Sequence, residues 1–564
     1  MSRREAWLSA AAVFAIALAI RIAAAAAVAF PVPEDTAYYA GVARNLAEGR
    51  GLISDALWSY QTQPLIVPRA AFEIWMPLPS LLEAIPVALA GAGNWFRAAQ
   101  LVSVVASSLV AVMAWRVAAD VAAEMRLPVG RARTMAVGSG LLAASLGPLV
   151  VFGALPDSTA LFTALSLAAC LLMTRLAAAE TAPRNSPKTA PQAPPAATSA
   201  PSRRVDRRLI ALGLLLGCAA LTRSEAIWLA LSWGGVAWFW TQGSRRRRLA
   251  LIAIPAAIAI AVVVPWLVRD WLAFGTPLPG QSIGNAFFIR YTDVFAYQDS
   301  PSLGRFLGQG PATLAGVYGL GLAHDFLAVL AVPAFPVVPI ALLALPWASR
   351  RRALRPLLLV SATTFVVTSL AFPVATLSGT YLHAAGSGLV LAVVCCVAAL
   401  DQLVVRIGRI RHWTRPVAWL GPALALASTV PLCFVSVTEI AHQATDTSAR
   451  YAALPAAMAR AGVPLDDSAP VITDAPIWLA ESAHVRTLAL PDESPASVLN
   501  LADRFGAKLL VVGDEANRDW PGVLSRGGAA AECFREVPLS DASSAKPQKD
   551  SPLASIHVFR IGCP

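Results

Sequence analysis

Charge is scarce in this chain. Asp, Glu, Lys and Arg make up 14% of its 564 residues, against 57% apolar ones, a balance that excludes a water-soluble protein of this length. Lysine is nearly missing: Lys188, Lys508, Lys546 and Lys549 are its only examples, and arginine carries the rest of the positive charge. With the heavy use of alanine, this points to a GC-rich bacterial genome. The seven cysteines show no metal-ligand spacing, and Cys170, Cys218, Cys395, Cys396 and Cys433 fall in apolar runs as small core residues. No constellation of metal-ligating residue types stands out, and neither a metal nor a cofactor is expected. The net charge of +11 does not indicate nucleic acid. Its basic residues cluster in short loops between apolar stretches, as membrane orientation signals do.

What the chain has instead is apolar length. Runs of roughly 20 apolar residues, each sufficient for a ~30 Å hydrocarbon core, recur from the N-terminus to about residue 438. The first, about residues 7–30, is too long for a signal peptide and lacks a cleavage pattern, so it is expected to stay as a helix. Placing the arginine clusters on the cytoplasmic side (Arg3-Arg4; Arg126 to Arg133; Arg175 to Arg208; Arg245 to Arg248; Arg350 to Arg355; Arg406 to Arg415) puts crossings at about 7–30, 97–120, 134–154, 158–178, 209–222, 226–242, 249–268, 323–347, 356–376, 385–402 and 416–438. The expected fold class is therefore an α-helical multi-pass membrane protein with about 11 spans, its N-terminus cytoplasmic. Met76 to Ala92 is apolar but carries Pro77, Pro79, Glu83 and Pro86. Counting it as a crossing would invert every later loop, so it is read as an interfacial helix.

This threading gives a transmembrane domain over 1–438 and leaves three large external segments, 31–95, 269–322 and 440–564. Residues 181–206 read as a disordered cytoplasmic linker, being rich in Pro, Ala and Ser. In the C-terminal segment, 470–473, 486–490 and 508–512 have strand character, and 494–505 has helical spacing after a Ser-Pro start, which predicts a small external α/β domain. Cys533 and Cys563, the only cysteines outside the spans, lie beside two further strand-like runs, 533–537 and 556–561. Antiparallel pairing of those runs, with 540–551 as a loop, would bring the thiols together in an oxidising compartment.

Chemistry concentrates at the predicted outer helix ends. Glu34 and Asp35 follow the first span and open an amphipathic stretch containing Tyr38 and Tyr39. They read either as helix-capping carboxylates or as a general base at the water–lipid boundary. Asp157 falls in the next external loop, Arg223 and Glu225 in the third, Arg269 and Asp270 in the fourth, and His383 in a later one. Arg223 and Arg269 suit phosphate, which guanidinium binds bidentately, or else anchor helix ends against Glu225 and Asp270. His383 is either a phosphate or sugar contact or a buried, hydrogen-bonded histidine. Tyr38, Tyr39 and Trp75 are candidate substrate contacts, although tryptophans such as Trp58, Trp266 and Trp271 also serve as interfacial anchors. Arg21, inside the first span, should face the bundle and find a partner there.

Several of these blocks resemble a known family. The runs Asp35-x-x-Tyr38-Tyr39, Ala43 to Gly51 and Trp75-Met76-Pro77-Leu78, then Gly213 to Glu225 and Pro265-Trp266 through Pro279, are similar to GT-C glycosyltransferases. They are nearest the protein O-mannosyltransferases and their bacterial relatives, including the lipid A aminoarabinose transferases. The resemblance covers the first seven spans and thins after about residue 300. It implies inverting sugar transfer from a polyprenyl-phosphate donor, outside the bacterial cytoplasmic membrane, to a hydroxyl on protein, lipid or glycan. It assigns the general base to Asp35 or its neighbour Glu34, and a positioning role to Asp157. The rival class is a transporter or flippase, which would carry ionisable or helix-breaking features near the midplane in paired halves. Here the charges gather at outer helix ends, and no inverted repeat is visible.

Overall fold

The computed structural model describes residues 2–181, 206–280, 284–413, 417–513, 515–516, 518–539 and 551–563. Most of the expected linker 181–206 and of the expected loop 540–551 lies outside the described residues. The membrane part begins with α1 (Arg3–Ala27), α2 (Glu34–Ala47), α3 (Leu78–Ala90), α4 (Trp95–Glu124), α5 (Val129–Ser145), α6 (Gly147–Ala154) and α7 (Ser158–Thr181). It continues with α8 (Arg207–Ala220), α9 (Ala226–Phe239), α10 (Arg245–Phe274), α11 (Leu303–Leu307), α12 (Pro311–Ala323), α13 (Val337–Ala348), α14 (Arg355–Ala371), α15 (Thr380–Ala384), α16 (Gly386–Ile410) and α17 (Leu420–Arg460).

Among the described residues seven helical segments are long and apolar enough to cross a membrane, and α5 with α6, bent by 56°, make an eighth. The remaining expected crossings fall on the shorter helices α8, α9, α13 and α14. The segment Met76 to Ala92, expected to lie in the interface, forms the 13-residue α3, about 20 Å long at 1.5 Å per residue. The expected single span 323–347 is replaced by two pieces. A π-helical turn, His324–Ala331, continues α12, and α13 starts only at Val337. Pro333 and Pro336 lie between them, and proline supplies no helical N–H.

The break between α5 and α6 explains the buried arginine of the first span. Pro148 cannot donate to the Ala144 carbonyl, and the bend also frees that of Ala143. Arg21, fully buried, donates to both carbonyls and, at 3.0 Å, to the Ser107 hydroxyl, so a charge that would be costly in lipid caps a broken helix. Gly213 and Gly217 show the other packing device. A Cβ at either would lie 2.6 Å from Ile258 or Val262 of α10, a small-xxx-small contact that lets α8 and α10 touch closely.

The C-terminal part is α/β. Its helices are α18 (Pro476–Ala483), α19 (Pro495–Phe505) and α20 (Trp520–Ser525). The strands among the described residues are β1 (Ile53–Ser54), β2 (Ala56–Leu57), β3 (Arg69–Ala70), β4 (Val471–Thr473), β5 (Thr487–Ala489), β6 (Leu509–Val512), β7 (Phe534–Val537) and β8 (His557–Ile561). Among the described residues one sheet has the order β2-β5-β4-β6-β8-β7. Its first four strands are parallel, and β8 pairs antiparallel with both β6 and β7. One member was not expected: β2 comes from the segment between α2 and α3 and pairs Leu57 with Leu488. Two residues carry too little periodicity to be read as a strand. The two regions are therefore interlocked, and α17 runs unbroken from the bundle into the tail. A common core joins Tyr38, Tyr39 and Phe72 to Tyr451, Trp478 and Val511.

The pairing of β7 with β8 brings Cys533 and Cys563 into a disulfide, 30 residues apart in sequence. In the chain-entropy account such a loop contributes roughly 3–4 kcal/mol. Cys533→Ser is accordingly expected to lower the unfolding free energy of the tail by about that amount in denaturant titrations, and non-reducing peptide mapping of the native protein to recover the linked pair. Free thiols at both positions would remove the basis of this expectation.

Candidate active site

The site starts from a helix in which neighbouring residues point apart. Successive side chains of α2 are turned by about 100°, so its adjacent acids take different surroundings. Glu34 faces the tail: its Oε1 accepts from the N–H groups of Ile477 at 3.0 Å and Trp478 at 3.4 Å, at the start of α18. Trp478 Nε1 in turn donates to the Pro31 carbonyl at 2.8 Å. One helix length on, Arg44 pairs with Glu481 of α18 at 2.9 Å. Gly41 leaves the room for this approach, since a Cβ there would lie 2.2 Å from Glu481.

Glu34 is thus the N-terminal cap of a tail helix, and the structure does not bring it to the cavity described below. The sequence left open which of the two acids serves as base; of the two, only Asp35 lines that cavity. Burial pushes the Glu34 carboxyl up to about 8, against the two N–H groups, and that of Glu481 up to about 7, against Arg44. Both lie above the ordinary value near 4.5, so the folded chain holds protons that the unfolded chain has released. The stabilisation is full below about pH 4.5 and is lost as pH rises through about 7–8. The thermal midpoint of the tail is expected to fall between pH 5 and pH 9. Glu34→Gln, which keeps an acceptor but cannot ionise, should flatten that slope; an unchanged slope would remove Glu34 from the clamp.

Asp35 opens into a cavity of about 530 Å³ lined also by Tyr39, Trp58, Trp75, Arg223 and His383. The volume falls within the ~300–1,000 Å³ of small-molecule sites. His383, on α15, sits between two acids. Its Nε2 is 3.4 Å from Asp35 Oδ2 and its Nδ1 is 3.8 Å from Asp157 Oδ2. The Thr159 hydroxyl lies 2.6 Å from Nδ1. Asp157 caps α7 by accepting from the Thr159 N–H at 2.7 Å, which leaves its second oxygen facing the imidazole. Burial pushes the Asp157 carboxyl up to about 6, while His383 and the Thr159 N–H pull it down. Asp35 is the more open of the two acids: 27% of its side chain is exposed, and none of that of Asp157.

Arg223 forms two bonds to Glu225, at 2.7 and 3.2 Å, and donates to Ser158 at 2.9 Å. Both residues line the cavity. Arg269 is placed differently. It donates to the Ala71 carbonyl at 2.8 Å, pairs with Asp270 at 2.9 Å and lies over the Trp266 ring at 4.7 Å. It braces the segment between α2 and α3 and is not among the residues lining the cavity. Tyr38 also turns away, its hydroxyl accepting from the Phe72 N–H at 2.6 Å. Tyr39, four residues after Asp35, and Trp75, packed at a tilt between Tyr38 at 4.2 Å and Trp58 at 4.6 Å, form part of the cavity wall. Among the described residues no three His, Cys, Asp or Glu side chains are arranged to hold a metal ion.

Sequence reasoning missed Ser158 and Thr159, whose hydroxyls hold Arg223 and His383. The signal was there, since a Ser-Thr pair directly after an acid at a helix start is a capping pattern. It also missed Tyr291, which lines the cavity from a segment without helical or strand periodicity.

The chain's fold is shared with known membrane enzymes. It is similar to the apo oligosaccharyltransferase of Archaeoglobus fulgidus, at 12% identity and TM-score 0.54, over 98% of this chain and 76% of that one. It is similar to the same organism's oligosaccharyltransferase AglB in complex with an inhibitory peptide and a dolichol-phosphate, at 12% identity and TM-score 0.53, over 100% and 77%. ArnT from Cupriavidus metallidurans bound to undecaprenyl phosphate matches at 15% identity and TM-score 0.51, over 98% of both chains. No protein-family model and no curated protein sequence matches the chain. At these identities the likeness establishes the GT-C fold that the sequence blocks implied.

Proposed function

We propose that this protein is an inverting glycosyltransferase that moves a sugar from a polyprenyl-phosphate donor to an acceptor hydroxyl on protein, lipid or glycan, at the outer face of a bacterial cytoplasmic membrane. The observation that carries the reading is the Asp35 carboxylate, opening into a ligand-sized cavity at the end of the first span, with His383 beside it and Arg223 in the same wall. Two proteins of the same fold hold a dolichol-phosphate and an undecaprenyl phosphate, which supports a lipid phosphate as donor.

The chemistry follows from the groups present. The acceptor oxygen attacks the anomeric carbon and forms the new C–O bond. The bond from that carbon to the phosphate oxygen breaks, its electron pair leaving with the polyprenyl phosphate. Asp35 takes the acceptor proton as general base, since a hydroxyl is a poor nucleophile until its proton has a destination. The phosphate leaves as an anion and needs charge stabilisation more than a proton; Arg223 supplies it, with Tyr39 and Ser158 around it. His383 holds Asp35 in place from behind, backed by Asp157 and Thr159, and Trp75 and Trp58 offer aromatic faces to the sugar.

The purified protein in proteoliposomes, given polyprenyl-phosphate sugars and a mixed hydroxyl acceptor pool, is expected to release polyprenyl phosphate in step with acceptor glycosylation. Translocation of the lipid-linked sugar without release would overturn the reading in favour of a flippase. Glycan profiling of a deletion strain would then name the sugar and the acceptor.

A further inference from the structure

Behind the wall that carries His383 lies a second buried polar cluster with no part in the chemistry above. Asp325, near the start of the π-helical turn, is wholly shielded from solvent. Its carboxylate accepts from the Ser369 hydroxyl at 2.7 Å and from the Thr376 hydroxyl, 2.8 Å from each oxygen, and His324 Nδ1 lies 3.3 Å away. Burying a carboxylate is costly unless donors satisfy it, so a position filled this way constrains whatever supplies the donors.

Both donors lead to the site. Ser369 is near the end of α14, one turn before Phe372 of the cavity wall. Thr376 lies in the short turn Ala375–Ser378, which runs through Gly379 straight into α15 and His383. This connection is braced internally by Thr380 Oγ1 donating to the Ala375 carbonyl at 3.0 Å and by the His383 N–H donating to the Gly379 carbonyl at 3.0 Å. It passes directly against the imidazole. Gly379 has φ +111°, and a Cβ there would lie 3.0 Å from His383 Nε2, the nitrogen that faces Asp35. A rigid turn anchored at one hydroxyl transmits any shift of that anchor to the nitrogen. π-Helical turns recur at functional sites, and this one carries the anchor.

We propose that Asp325 is a positioning residue: through Thr376 and Ser369 it sets the turn that holds His383 Nε2 against Asp35. The proposal rests on the reading that His383 and Asp35 serve the transfer.

A double-mutant cycle in the transfer assay tests it. Asp325→Ala is expected to lower kcat roughly 10- to 100-fold, as misplacement of a reacting group by about 1 Å does, with the donor KM within about twofold. Asp325→Asn should recover most of the loss, because an amide accepts from one hydroxyl and donates to the other. In a His383→Ala background, Asp325→Ala should change kcat less than about twofold, since the residue it acts through is gone. If Asp325→Ala does not accumulate as folded protein, Thr376→Val, which leaves the carboxylate its Ser369 donor, is measured in the same cycle with the same expectation at smaller amplitude. Additive losses in the cycle, or wild-type kcat in Asp325→Ala, would overturn the proposal while His383→Ala remains impaired. Wild-type transfer by His383→Ala would instead overturn the functional reading beneath it.

Discussion

Asp35→Asn is expected to reduce turnover by at least the ~10²-fold typical of losing a general base, with expression and donor binding nearly unchanged. The substitution is isosteric, and among the described residues the carboxylate's partner is the His383 side chain, 3.4 Å away, rather than a backbone group that the fold requires. What it removes is the destination for the acceptor proton. The helix-end charge it also removes, near the N-terminus of α2, is worth at most about 2 kcal/mol at a partly buried position, too little to unfold a helix packed on both regions of the chain. The adjacent acid provides the internal control: Glu34→Gln should keep turnover within a few-fold of wild type, because Glu34 caps α18 and does not line the cavity. Wild-type turnover by the Asn variant with a polyprenyl-phosphate sugar would falsify the assignment.

The second large effect is expected at His383, where Ala should lower kcat by roughly 10²-fold, as misplacement of a reacting group by about 1 Å does, and also change the shape of the pH profile. In the wild type the Asp157 carboxyl is pushed up to about 6, mainly by burial, with His383 opposing that rise. Turnover should therefore fall as pH is lowered through about 6, where Asp157 gains a proton and no longer supports the imidazole. Without His383 nothing but the Thr159 contacts pulls the carboxyl down, so the acid limb of whatever activity remains should move to higher pH. A limb left in place would mean that Asp157 is not coupled to the reaction through the imidazole. Asp157→Asn complements the measurement, because it should abolish the limb rather than displace it.

Two corrections show what such a sequence conceals. Arg223 and Arg269 look alike on paper, each at an outer helix end with an acid one or two residues on. One lines the cavity, held by Glu225 and Ser158, whereas the other is taken up by a carbonyl of the first loop and a tryptophan face. Glu34 and Asp35 look interchangeable as well, yet one helical step sends them into different surroundings. Helical periodicity predicts that they diverge, but which of them meets the cavity depends on where α18 docks, far along the chain.

Local pattern alone determined the membrane class, most helix positions, the strand and disulfide pattern of the tail and several of the segments that line the cavity. Apolar length, proline placement and the alternation of strands are properties of consecutive residues, and lipid or a sheet reads them directly. Tertiary structure alone decided the membership of the site. His383 meets a threonine 224 residues away, β2 joins a sheet formed otherwise by the tail, and Arg21 finds the carbonyls released at the break between α5 and α6. Each of these contacts is fixed by the packing of whole helices against one another. The free energy of that packing is spread over many side chains, and no short stretch of sequence carries enough of it to disclose the partner.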